Sequence, residues 1–490
     1  MQGRSRNSHT GLSPGRKGAT MRHAARLAAA GYFVAGALTV ACTGSDEPAG
    51  PVAPPSPTIT VRISPANGSV QVGDTIRFTA AVTDASGQPV TNPGIVWSTS
   101  QASQAWARDD GLVTGAGPGV PTVTATSQGA TGTATLTVTA SPIGALLLDV
   151  RQRHGLIGLA GAIVTSDRIV DVGAAGTRAH GSLVPVTIYD KWHLGSITKS
   201  MTSTLAAILV EQGALEWTTT LENAFPDFPA IHLELRPLPI EPILAHRGGF
   251  TNEIGQFSTW SQMLTGTDPL RAQRRAFAME VLGTAPEFPP LQTFHYSNVG
   301  YMIAGAVLEA VTGQQWETLI GARLFAPLGM DDTGFGAPGV RNAMDQPRGH
   351  LGQGSARVAL EPDDPRADNP RGLGPAGTVH ATMQDLGRYV AMHLAGEQGR
   401  ADLLQAETIQ RLHTPAEGFS YASGWAVTNR DWAGGRTLVH SGSNLRWYAV
   451  VWMAPERDFA VLVATNQGGE TAFEATDEAA GRLIQLYLGS

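Results

Sequence analysis

Two reactive side chains sit one helical turn apart in the stretch "WHLGSITKSMTSTLAAILVEQGAL", Trp192 to Leu215: Ser196 and Lys199. The chain has only the lysines Lys17, Lys191 and Lys199, so 31 of its 34 basic residues are Arg. A lysine kept here points to a demand that arginine cannot meet. Positions i and i+3 share a helix face, which brings the amine within reach of the hydroxyl. A serine at a helix N-terminus also sits in the positive end of the macrodipole, which favours developing negative charge. To take the serine's proton, Lys199 must be neutral near pH 7. That is a fall of about three to four pH units, roughly 4–5 kcal/mol, from its reference value. Burial supplies shifts of that size, whereas arginine does not deprotonate in proteins.

A second group lies in "FHYSNVGYMIAGAVLEAVTG". Tyr296 and Asn298 precede a helix with Val299, Ile303 and Val307 on one face. A Tyr hydroxyl next to a cation loses its proton more easily and can shuttle it. The Asn amide offers both a donor and an acceptor. The alternative is structural: Ser297 or Asn298 capping the helix and Tyr296 packing. A third group, His440, Ser441, Gly442 and Ser443, falls in the strand-like "LVHSGSNLRWYAV". Gly442 permits close approach of a ligand to the backbone, and the Ser443 amide is placed to donate to an oxyanion. Taken alone, this is equally a strand with a Gly bulge.

In this order the three groups resemble the serine β-lactamase and penicillin-binding superfamily. The Tyr-x-Asn form is that of class C β-lactamases, D-alanyl-D-alanine carboxypeptidases and β-lactamase-like esterases. The segments "ILAHRGGF", "LFAPLGMDDTGFG" and "GPAGTVHATMQDLGRY" resemble further stretches of that superfamily. The resemblance implies a nucleophile at Ser196, an activating amine at Lys199 and a proton shuttle at Tyr296. It implies that Asn298 holds substrate and Lys199, and that the Ser196 and Ser443 amides bind the oxyanion. His440, Ser441 and Gly442 stand where many relatives carry Lys-Thr-Gly. A histidine there is mostly neutral at pH 7.5. Recognition of anionic β-lactams is then expected to be weak, and to weaken as pH rises through the His440 pKa. The chain's G-x-S-x-G, "GLSPG" (Gly11 to Gly15), lacks the strand before it and helix after it that a nucleophile elbow needs.

These residues need a scaffold. A length of 490 suggests about three units. The net charge of −7 argues against a nucleic-acid partner. The histidines form no metal motif, and neither a metal nor a cofactor is expected. Residues 1–42 read as a secretory leader: six Lys/Arg and no acid through residue 26, then an apolar run to Ala41. Its end resembles a lipobox, which makes Cys42, the single cysteine, the expected lipid acceptor. Residues 43–57 are Pro-rich and read as a tether. Residues 58–140 alternate apolar and polar (Ile59, Val61, Ile63; Ile76, Phe78, Ala80, Val82; Ala134, Leu136, Val138), as short antiparallel strands do. They resemble a group 2 bacterial Ig-like domain, an all-β sandwich expected to act as a spacer or weak adhesion module. Asp84, Asp109 and Asp110 there read as turn acids.

Residues 141–490 read as an α/β body of β-lactamase-like fold: one antiparallel sheet flanked by helices, plus a helical lobe. Helices are expected over 196–212, 298–312, 383–395 and from Thr471 to Leu488. The first strands, a hairpin about Ser166-Asp167, should lie beside the last strands. In the same body, the acids of "LEPDDPRADNPRG" read as a solvated loop. His246 and His295 read as structural hydrogen-bonders, and Trp432 and Trp447 as core. The expected protein is an exported, membrane-tethered serine hydrolase at the periplasmic side or cell surface. Its partner is a small acyl substrate (peptide, ester or β-lactam), with peptidoglycan as a further one. The alternative is a non-catalytic peptidoglycan- or penicillin-binding or adhesion protein.

Overall fold

The strands of the N-terminal module follow from its alternation. Thr60–Ser64 pairs antiparallel with Thr79–Thr83. Ala130–Thr139 pairs with Thr122–Ser127 and, in parallel, with Asn67–Gln71. Inward residues Phe78, Trp97, Val113, Val123 and Leu136 fill the core. The structure is a computed structural model that describes residues 59–489 apart from Gln353 and Ala401. The leader, Cys42 and the tether lie outside the described residues. The run from Ile76 to Val82 is not one strand. The chain changes sheets at Phe78: Thr75–Arg77 pairs with Leu112–Gly115, and Thr79–Thr83 with Thr60–Ser64. The Phe78 amide donates to Gly111 O in passing (2.9 Å), so the ring stays inward. Asp84 accepts the amides of Ser86 and Gln88 in a turn, and Asp110 pairs with Arg77 and Arg108.

Helix α1 (Pro142–His154) opens the body. Ser141 caps it by accepting the Gly144 amide, Pro142 occupies its first turn, and Gly155 ends it in the left-handed region. Strands β1 (Gly158–Val164) and β2 (Ile169–Gly176) form the expected hairpin. The last strands are β4 (Ala426–Arg430), β5 (Gly435–Ser443), β6 (Tyr448–Ala454) and β7 (Phe459–Thr465). The sheet order is β2-β1-β7-β6-β5-β4, antiparallel throughout, so the first and last strands meet at β1 and β7. Every residue of β1 and β7 is buried. They lie mid-sheet, with α1 and the C-terminal helix Glu470–Leu488 on one face. The helix Met383–Glu397 covers the other face, where the larger core extends into the helical lobe.

The Ig-like module packs on this body through the turn at Val72 and Gly73. Val72 is buried against Gly144 of α1. The Gly73 carbonyl accepts the Ile188 amide (2.8 Å). Gly73 has φ +90, and a Cβ there would come within 3.1 Å of the Ala174 backbone. A larger residue fits neither the turn nor the seat.

Candidate active site

Ser196 lies in a 3-10 turn, Gly195–Ile197, that leads from strand β3 (Trp192–His193) into helix α2 (Thr198–Glu211). The helix expected over 196–212 therefore begins with this tighter turn. Gly195 has φ +50, and a Cβ on it would sit 2.4 Å from Ser443 N. A Cβ on Gly442 would sit 2.5 Å from Ser196 N. Two glycines thus let β5 press against the start of the nucleophile turn, leaving the Ser196 and Ser443 amides as neighbours. Upstream, Asp190 fixes the approach to β3. Its carboxylate accepts Arg178 Nε (3.0 Å) and the Thr187 amide (3.1 Å).

Lys199 Nζ is 3.0 Å from Ser196 Oγ, 2.7 Å from Asn298 Oδ1 and 2.7 Å from Ala376 O. The side chain is buried, and burial drives its pKa well below the ordinary lysine value. A neutral amine has two N–H groups and one lone pair. A backbone carbonyl can only accept, and Asn298 presents its amide oxygen, so these two take both N–H groups. The lone pair is left for the Ser196 hydroxyl. Once neutral, the amine has the geometry of a base toward Ser196.

Tyr296 hydrogen-bonds Ser196. Burial pushes its pKa up to about 12. The Lys199 amine lies 4.9 Å from its ring centre, and burial works against the charged form of that amine. With its pKa at about 12, the Tyr296 hydroxyl keeps its proton near pH 7. Helix α3 (Asn298–Thr312) spans the expected residues, and both readings of its start apply. Ser297 caps it by accepting the Gly300 amide (3.0 Å), while Asn298 faces Lys199. His246 is structural, as expected: Nδ1 accepts the Ser297 amide (3.1 Å) and the ring lies 4.3 Å from that of Tyr296.

His440 departs from the expectation. It is buried. Nδ1 is 2.7 Å from Ser441 O, which can only accept, so the ring proton is on Nδ1. Nε2 then accepts the Tyr421 hydroxyl (2.9 Å). Burial pushes the His440 pKa down to about 3. The ring is neutral across the working pH range, so the expected weakening of anion recognition through its titration is corrected. β4 pairs with β5 only as far as Ala426 opposite Val439, so His440–Ser443 runs on beyond that partner toward Ser196. Trp447 is core, packed edge-on against Trp192. Trp432 packs on Trp452 and Phe459. Sequence reasoning missed Ala376, Tyr421, His193 and Asp368. Ala376 contributes only a carbonyl, and Asp368 lies in the loop read as solvated.

Antiparallel sheet, helical lobe and Ser-Lys-Tyr-Asn cluster together define a serine hydrolase of the β-lactamase type. The Beta-lactamase family profile matches residues 145–486, and the chain belongs to that family. Residues 57–138 match the group 2 bacterial Ig-like domain. Penicillin-binding protein 4 of Amycolatopsis lactamdurans is 27% identical over 344 residues, which is 66% of this chain and 84% of that protein. Protein flp of Staphylococcus aureus (strain COL) is 24% identical over 284 residues, 57% of this chain and about half (53%) of that protein. Among solved structures, the octameric penicillin-binding protein homologue from Pyrococcus abyssi aligns with TM-score 0.57 at 23% identity, covering 71% of this chain and 78% of that one. The D-amino acid amidase from Ochrobactrum anthropi SV3 aligns with TM-score 0.55 at 20% identity, covering 71% and 100%.

Proposed function

We propose that the protein is an exported hydrolase that forms an acyl-enzyme on Ser196, with D-amino-acid peptides, amides or short esters as acyl donors and weak β-lactamase activity at most. The leader-like N-terminus supports export, and Cys42 is the proposed lipid anchor. The relatives named as penicillin-binding proteins and as a D-amino acid amidase support the substrate class. The observation that carries the reading is the Lys199 amine held between two acceptors and the Ser196 hydroxyl. Lys199 takes the Ser196 proton as Oγ attacks the acyl carbonyl. The Ser196 and Ser443 amides receive the oxyanion; donors of this kind are each worth about 10²–10³ in rate. Tyr296 relays the proton held by Lys199 to the leaving group as its bond to the acyl carbon breaks, and water then releases the acyl group.

The test is intact-mass spectrometry of the protein, Ig-like module included, after a fluorophosphonate and, separately, a penicillin. One adduct per chain is expected with the fluorophosphonate, and none in Ser196→Ala. A folded wild type that takes neither probe would overturn the reading.

A further inference from the structure

Asp368 sits where three separate pieces of the site meet. His193 Nε2 lies 2.7 Å from its Oδ1, off the line of a regular hydrogen bond. The Asn444 amide donates to the same oxygen (3.1 Å), and so does the Asn369 backbone amide (2.6 Å). Two of these contacts lead to the two halves of the oxyanion site, and the third to the carbonyl that holds Lys199. His193 Nδ1 accepts the Gly195 amide (3.1 Å), the peptide just before Ser196. With Nδ1 accepting, the ring proton is on Nε2 and faces the carboxylate. Asn444 follows Ser443, and its Oδ1 accepts the Arg446 and Trp447 amides, closing the turn after β5. Asn369 Nδ2 reaches Gly377 O (3.0 Å), next to the Ala376 carbonyl that holds Lys199.

We infer that Asp368 is a positioning residue: its carboxylate fixes the spacing between the Ser196 and Ser443 amides by tying His193 to Asn444. This rests on the acyl-enzyme reading above. The two amides come from segments far apart in sequence, and no strand pairing joins β3 to β5 directly. An oxyanion site acts only if both donors are aimed before charge develops. One charged carboxylate oxygen, bonded to the Asn444 and Asn369 N–H groups and in close contact with His193, supplies that aim. The asparagine isostere keeps an oxygen there but loses the charge, so it is the weaker acceptor for these groups.

The test compares wild type with Asp368→Asn, with Asp363→Asn on the same loop as control. Activity is expressed per Ser196 titrated by fluorophosphonate, so a loss of folded protein does not count. The second readout is inhibition by an aryl boronic acid. It forms an Oγ–B bond and a tetrahedral anion, the serine proton passing to Lys199. In Asp368→Asn, kcat should fall about 10- to 100-fold, with KM within about threefold and boronate affinity lowered by a factor similar to kcat. Asp363→Asn should match wild type. Unchanged kcat per titrated site, or lost kcat with unchanged boronate affinity, would overturn the inference. If Asp368→Asn does not fold, His193→Asn decides on the same readouts. It keeps an acceptor for the Gly195 amide while giving up the reach to Asp368. A wild type that is never labelled at Ser196 defeats the acyl-enzyme reading instead.

Discussion

Lys199 and His440 flank the nucleophile from two regions, α2 and β5, and burial works against the charged form of both. Their proton inventories differ. Lys199 meets two acceptor oxygens, so in the neutral amine the lone pair faces Ser196. His440 has an acceptor on Nδ1 and a donor on Nε2, so neither nitrogen is left for chemistry. Equal burial therefore makes a base in one place and a fixed wall in the other. What decides is whether the partners leave a lone pair facing the substrate.

The largest break in that comparison should come from Lys199→Arg. Arginine brings a permanent charge, keeps some of the hydrogen bonds and has no lone pair to offer. The burst rate with an activated ester should drop about 10³-fold, within the range for losing a positioned base. His440→Asn, a neutral hydrogen-bonding replacement, should stay within about tenfold of wild type. Comparable losses in the two variants would mean that His440 shares the proton work.

The second effect is in pH. Lys199 acts as a neutral amine, so kcat/KM should fall as pH drops through its lowered pKa. Tyr296, pushed up to about 12, should add no limb on the alkaline side below about pH 10. His440, near 3, is neutral on both sides of pH 6.5. Two acyl donors that differ only in a terminal carboxylate or its amide should therefore keep a constant kcat/KM ratio from about pH 5.5 to 8.5. A ratio that falls for the carboxylate through about 6.5 would show a histidine charging in the site.

The chemistry was legible in the sequence because acyl transfer needs particular side chains at short spacings. Ser196, Lys199, Tyr296 and Asn298 are local pairs, and α3 could be bounded because Ser297 caps it and Gly313 ends it with φ +73. The sheet order was legible because apolar runs at both ends of the body have to find one another. What stayed hidden depends on long-range contacts. Asp368 looks like any acid in a Pro-rich loop until His193 and Asn444 are brought to it. The Tyr421 donor to His440 lies on another element, and without it the histidine reads as a titrating surface group. The sheet change at Phe78 was hidden for a different reason: the alternation continues unbroken through it.

The smallest effect should come from Tyr421→Phe, and it sharpens the comparison most directly. The hydroxyl donates to His440 Nε2, and its loss leaves a buried acceptor unpaired. That should cost about 1–3 kcal/mol of stability at pH 8, with kcat/KM for a neutral donor within about threefold. The deficit should shrink on acidification. The His440 pKa is depressed in the fold, so wild type loses stability as pH falls below about 6.5, where only the unfolded chain takes the proton. A donor on Nε2 favours the neutral ring, so removing it raises the folded pKa and narrows that window. Urea unfolding of both proteins at pH 8 and pH 4 should therefore give a smaller difference at pH 4, below the folded pKa that the variant reaches. A larger difference at pH 4 would mean that Nε2 is not held as an acceptor in the wild type.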